Sequence, residues 1–230
     1  MNTPTATQPA ITGIITDNTM RTLSGKVLDL RNPNSEMIDV RDISSGLANN
    51  SHFAGQTPYF FSIAQHSVMV CDEFAIQNPD APDNMKLLAL LHDAAEAYVG
   101  DVIKPLKVLL PFYSEIESNI MLAIAAKYDL PIICGMPKIK SYDLYVQNVE
   151  YNAFYRGGKI SYMDPEQARR IFLDRFAKYY KTTSPNEEFV TCAKCELRHR
   201  KSERKEKYDE EYYWTTNHCP RCGDDSIYKE

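Results

Sequence analysis

The stretch NMKLLALLHDAAEAYVGD, at 84–101, constrains the chain most. Leu, Ala, Met, Lys and Glu are strong helix formers, so 84–99 is expected as one helix, with Asp83 or Asn84 as N-cap and Gly100 at its end. Its LLALL block has to be buried, yet His92, Asp93 and Glu96 follow at once. On a helix, His92 and Glu96 share a face through their i,i+4 spacing, and Asp93 lies about 100° around the axis. Ionisable groups are carried into a core only where something there compensates them.

The same conflict recurs twice. His66 interrupts an apolar helical pattern at 62–77, and Asp143 sits within SYDLYVQNVE in a helix expected at 138–155. Two more amphipathic helices are expected at 113–128 and 165–180, the latter with Pro165 in its first turn. Between Leu23 and Asp42, apolar and polar residues alternate around LSGKVLDL and MIDV, which suggests a short hairpin turning at RNPNSE. The Thr- and Pro-rich start reads as a flexible tail over 1–22, and TTSPNEE reads as a linker. The expected fold is mainly α: a helical bundle over 23–184 with a small N-terminal hairpin, followed by a separate module over 185–230.

Imidazole and carboxylate ligands together suit a borderline divalent cation such as Mn²⁺, Co²⁺, Fe²⁺ or Zn²⁺. One cation would account for the polar intrusions at His66, His92, Asp93 and Asp143 together. Singly, each is more often a satisfied core or surface residue. It is the joint pattern that points to a metal.

The ordered motifs AQHS, LLHD, AEAYVGD and SYDL, spread between Leu23 and Arg156, resemble the HD-domain phosphohydrolases. Within that superfamily they are most similar to the bacterial and phage 5′-deoxynucleotidases and their deoxynucleoside triphosphate-cleaving relatives. The resemblance implies an HD-domain helical bundle holding a divalent cation (Co²⁺, Mn²⁺, Mg²⁺, Fe²⁺ or Zn²⁺) on His66, His92, Asp93 and Asp143. It further implies Glu96 as the acid beside the reacting water, Asp101 as a second acid near the substrate, and Lys107 as a basic residue near the phosphate. One departure stands out: where the family has Arg before an aromatic residue and a Gly, this chain has His52, in SHFAG. A histidine donates to phosphate more weakly than arginine and in a pH-dependent way.

Six cysteines divide into two kinds. Cys71 and Cys134 stand alone in apolar surroundings, as free core cysteines do. TCAKC brings Cys192 and Cys195, and HCPRCG brings Cys219 and Cys222, after a 23-residue spacer. Two Cys-x-x-Cys knuckles suit a structural tetrahedral Zn²⁺, so 185–230 is expected to be a zinc ribbon. LRHRKSERKEK is locally basic, but 190–230 carries nine basic and nine acidic residues. That balance favours a structural, dimer-forming or site-capping role over free nucleic-acid binding.

A net charge of −5 and a pI near 5.6 argue against a general grip on DNA or anionic membranes. No apolar run approaches the roughly 20 residues of a bilayer span, and the first residues lack a signal-peptide pattern. The expectation is a cytoplasmic enzyme, in the host cytoplasm if phage-encoded, compatible with a homodimer and acting on a deoxynucleotide. Without a P-loop string, nucleotide chemistry of the kinase type has little support. The aromatic residues Phe53, Tyr59, Phe60 and Phe61 are candidates to stack a base, but read first as core. Three readings compete: deoxynucleoside monophosphate hydrolysis, triphosphate release from a deoxynucleoside triphosphate, and a catalytically silent nucleic-acid-binding regulator. The complete acid and histidine set disfavours the third.

Overall fold

Helix α2, Ile63–Gln77, is buried along most of its length, with Ile63, Ala64, Val68, Val70, Cys71 and Phe74 sealed from solvent. A helix apolar on so many sides belongs at the centre of a bundle, and α2 packs against α1 (Val40–Asn49), α3 (Asp83–Leu91), α7 (Ile132–Tyr155) and α8 (Pro165–Tyr179). Ser62 starts α2 by accepting from the Gln65 N–H, as an N-cap should. Truncating Phe74, fully buried here, would cost about 3–5 kcal/mol. This description rests on a computed structural model that describes residues 15–180 and, beyond them, the backbone of five short strands.

The chain divides into two compact units, Met1–Tyr180 and Lys181–Glu230. The first opens with strands β1 (Thr19–Arg21) and β2 (Val27–Asp29), paired antiparallel in the register Met20 to Leu28. The hairpin thus turns at 22–26, not at RNPNSE, and draws in residues expected to belong to the tail. Gly25 adopts φ 88°, a left-handed conformation that glycine enters without steric cost, and Thr22 N–H closes the turn on the Lys26 carbonyl. Asp42 of α1 accepts from both Ser24 N–H and Ser24 Oγ, tying the turn to the bundle. The expected second strand at MIDV is instead a short 3₁₀ turn leading to Asp39, whose side chain caps α1.

The expected helix at 84–99 is two helices, α3 and α4 (Glu96–Val99). Between them the backbone tightens to three-residue bonds, Ala94 N–H to Leu91 O and Glu96 N–H to Asp93 O. His92 causes the break: its Nδ1 lies 2.9 Å from Ala89 O, the carbonyl a continuing helix would give to Asp93 N–H. After the short helix α5 (Lys104–Lys107) comes α6, Tyr113–Tyr128, as expected. Helix α7 begins at Ile132, well before the expected 138, and runs through Pro137. The carbonyl that Pro137 leaves without a helical donor belongs to Ile133, an exposed residue. Helix α8 is capped by Asp164 with Pro165 at its first position.

In the second unit, β3 (Phe189–Cys192) pairs antiparallel with β4 (Arg198–Arg200) and β7 (Ile227–Tyr228), and β5 (Lys205–Asp209) pairs with β6 (Trp214–His218). The expected zinc ligands Cys195, Cys219 and Cys222 lie outside the described residues, and for Cys192 only the backbone is described. Among the described residues, no single helix is long and apolar enough to cross a membrane.

Candidate metal centre

Three helices converge on one point. Helix α2 supplies His66, the tight turn after α3 supplies His92 and Asp93, and α7 supplies Asp143. One ligand atom from each of the four lies within 4.8 Å of every other. His66 Nε2 is 3.2 Å from Asp143 Oδ1 and 3.7 Å from Asp93 Oδ2. His92 Nε2 is 3.1 Å from Asp93 Oδ2 and 3.8 Å from Asp143 Oδ1.

Hydrogen bonding on the far side of each ring decides what the near side offers. His92 Nδ1 faces the Ala89 carbonyl, and His66 Nδ1 lies 2.8 Å from Glu150 Oε1. Both partners accept, so both Nδ1 atoms carry protons, and loss of the Nε2 proton from either ring leaves a lone pair aimed at the cluster. Among the described residues, these two Nε2 atoms are buried and without a hydrogen-bond partner. Buried polar atoms left this way are costly. Two imidazole nitrogens and two carboxylate oxygens at one point satisfy one another through a divalent cation, and the donor set fits one.

Electrostatics agree. Burial by itself would strip protons from His92, but the charges of Asp93 and Asp143 outweigh it and raise its pKa well above the ordinary value. His66 is raised likewise against burial, chiefly by Glu150, with Asp143 helping. Burial pushes the Asp93 and Asp143 carboxyls up, yet the facing histidines win and hold both below the usual carboxylate range. A cation takes over the charge balance that these extra imidazole protons provide in its absence. Asp143 is further held by Gln147 Nε2, 2.7 Å from Oδ1, and by the Lys140 ammonium on Oδ2. His66 and Asp143 side chains are almost sealed, whereas Asp93 is 24% exposed, so the cluster opens on the Asp93 side.

The other expected site residues are linked to the cluster by charge and by contacts. Glu96 is 9% exposed and begins α4. Its carboxyl is pushed up to about 8 by burial and by the like charges of Asp93 and Asp101, against the pull of Lys107. Its Oε1 lies 3.4 Å from Lys107 Nζ, and its Oε2 has no hydrogen-bond partner. Lys107 also contacts Glu117 Oε1 at 2.6 Å, and these two acids, against some burial, keep its ammonium charged. His52 is buried, its Nδ1 3.2 Å from Asp101 Oδ2 and its Nε2 3.5 Å from Glu150 Oε2. Burial lowers the His52 pKa, but the two acids overcome it and raise it to about 10, and His52 in turn holds Asp101 ionised. Phe61 is fully buried, and Phe53, Tyr59 and Phe61 all pack edge-on against Phe154.

Sequence reasoning missed Glu150, Gln147 and Glu117. A signal existed for the first two: with Lys140 and Asp143 they fall at i−3, i, i+4 and i+7, one face of a single helix.

No family model matches the chain. An uncharacterized protein of Rhodobacter capsulatus is 38% identical over 120 residues, 51% of this chain and 61% of that protein's length. The uncharacterized protein YfdR of Escherichia coli K12 is 37% identical over 131 residues, 57% of this chain and 69% of its own length. At that identity and coverage, with a mainly helical body and a buried histidine–aspartate cluster suited to a metal, the chain belongs to the same family as YfdR.

Proposed function

We propose that the chain is a metal-dependent phosphohydrolase of the HD superfamily that removes the 5′-phosphate of deoxyribonucleoside 5′-monophosphates. The observation that carries this reading is the four-residue group with two orphaned imidazole nitrogens, flanked by a buried acid of raised pKa and a lysine. His66, His92, Asp93 and Asp143 would hold the cation. When bound, a divalent ion withdraws charge from a phosphoryl oxygen and makes water a stronger acid.

The remaining steps fall to the chain's own side chains. Glu96, with Oε2 free beside the cluster, accepts the proton of the attacking water as its oxygen bonds to phosphorus. Lys107, paired with Glu96, supplies an ammonium to steady a phosphate oxygen. As the bond from phosphorus to the 5′-oxygen breaks, the proton gained by Glu96 passes to that oxygen, giving nucleoside and orthophosphate. Asp101, kept ionised by His52, serves as an acceptor for substrate hydroxyls and not as the acid. A structural Zn²⁺ on Cys192, Cys195, Cys219 and Cys222 belongs to the same proposal.

The test is a screen of all deoxynucleoside mono- and triphosphates with Mn²⁺, Co²⁺ and Mg²⁺, detecting orthophosphate and tripolyphosphate separately. Orthophosphate from monophosphates, lost with bound metal in His92→Ala and Asp143→Ala, is the expected result. Tripolyphosphate as the main product, with monophosphates inert, would reassign the substrate. No hydrolysis under any cation would overturn the enzymatic reading.

A further inference from the structure

Behind the four-residue cluster lies a second buried group, His52, His66 and Glu150. Glu150 is 0% exposed, and a carboxylate so deep in a protein persists only where its partners hold it. One oxygen meets His66 Nδ1 at 2.8 Å, and the other faces His52 Nε2 at 3.5 Å. The His52 and His66 rings lie with centroids 4.4 Å apart and planes inclined by 31°. His52 is fixed from its far side by Asp101, which also lies 3.4 Å from Ala54 N–H. That amide is presented by a left-handed turn at Phe53 (φ 54°) and Ala54 (φ 50°), a conformation non-glycine residues adopt only when surroundings compel it.

We infer that Glu150 is a positioning residue for the cation site: it fixes the His66 ring with its proton on Nδ1 and its Nε2 toward Asp93 and Asp143, while its other oxygen forms an ion pair with His52. The inference rests on the proposed reading of the four-residue group as a cation site. Helix periodicity links the two layers. Asp143 and Glu150 are two turns apart on α7, so one helix carries both a ligand and the residue that aims another. A carboxylate behind a metal-binding imidazole is a general means of setting its tautomer, and loss of such a partner lowers metal affinity about 10–100-fold. Asp101, at the other end of His52, connects this buried chain to the opening beside Glu96.

The experiment measures Mn²⁺ affinity calorimetrically in the full chain, because thiolates compete poorly for Mn²⁺. Glu150→Met fills the space without an acceptor, whereas Glu150→Gln keeps an oxygen able to accept from Nδ1. The expected result is an affinity about 10–100-fold lower for Glu150→Met, largely restored in Glu150→Gln, with matching far-UV spectra. Unchanged affinity in Glu150→Met, or equal loss in both variants, would overturn the inference while leaving the cation site standing. Absence of Mn²⁺ binding by the wild-type chain would overturn both. NMR of isotope-labelled histidine in the Zn²⁺-loaded wild-type chain needs no variant. His66 protonated at Nδ1 supports the inference, and His66 protonated at Nε2 overturns it.

Discussion

Among the acids near the cluster, Glu96 and Asp101 are separated by what faces them. Glu96 is buried among like charges, which favours its protonated form, whereas Asp101 faces an imidazolium that favours its ionised form. Of the two, Glu96 is the stronger base, and a general base is most effective when its proton affinity is near the working pH. Glu96→Gln keeps the shape of the side chain and removes the site that takes up a proton. Turnover is expected to fall about 10²–10⁴-fold with metal content unchanged, as measured by steady-state kinetics beside metal analysis. Full turnover in this variant would move the base role elsewhere, first to Asp101.

Helix α4 is short, and its placement depends on α1. A Cβ on Gly46 of α1 would lie 2.4 Å from the Ala97 carbonyl oxygen and 2.8 Å from its Cα, so the two backbones touch where only glycine fits. Asn50 Nδ2 adds a bond to the Glu96 carbonyl at 3.3 Å. Gly46→Ala is therefore expected to lose about 1–3 kcal/mol in denaturant unfolding, because rigid backbone and not a side-chain tip must give way. By shifting α4, which begins with Glu96, it should also lower kcat. The start of α1 carries a pH-dependent contribution. Asp39 accepts from Arg41 N–H and pairs with the Arg41 guanidinium, which holds its pKa below the ordinary value. A depressed acid stabilises the fold fully above its unfolded pKa of about 3.9, and that contribution disappears as pH falls through the lower folded value. Asp39→Ala should cost about 0.5–2 kcal/mol at neutral pH, with the difference from wild type shrinking below about pH 4. A difference constant down to pH 2 would exclude Asp39 as the source.

On the scale of the whole molecule, the helical unit and the C-terminal unit have different sources of stability. The first has a continuous apolar core running through α2, α3, α6 and α8. The second spans Lys181–Glu230, a length at which a core alone seldom suffices and a metal often completes the fold. With two Cys-x-x-Cys knuckles in that span, Cys192→Ser is expected to reduce bound zinc by one equivalent per chain. The far-UV helical signal should remain, because the described helices all lie in the other unit. Loss of helical signal together with the zinc would mean that the two units fold as one.

Helix positions α2, α6 and α8 were legible because apolar spacing, an N-cap or a first-turn proline marks each within its own sequence. The metal-ligand candidates were legible for a related reason: His66, His92, Asp93 and Asp143 stand out as ionisable residues inside apolar patterns, whatever the tertiary arrangement. Local pattern did not show where α3 ends, because that depends on the His92 ring taking the Ala89 carbonyl. Nor did it show that the hairpin turns at Gly25, since RNPNSE offers equally good turn residues and the choice is made by Asp42 reaching back to Ser24. The chain Asp101–His52–Glu150–His66 joins residues as much as 98 positions apart, His52 and Glu150. Sequence determined which residues are too polar for their surroundings; tertiary structure decided which of them answer one another, because charges are compensated by neighbours in space and not by neighbours along the chain.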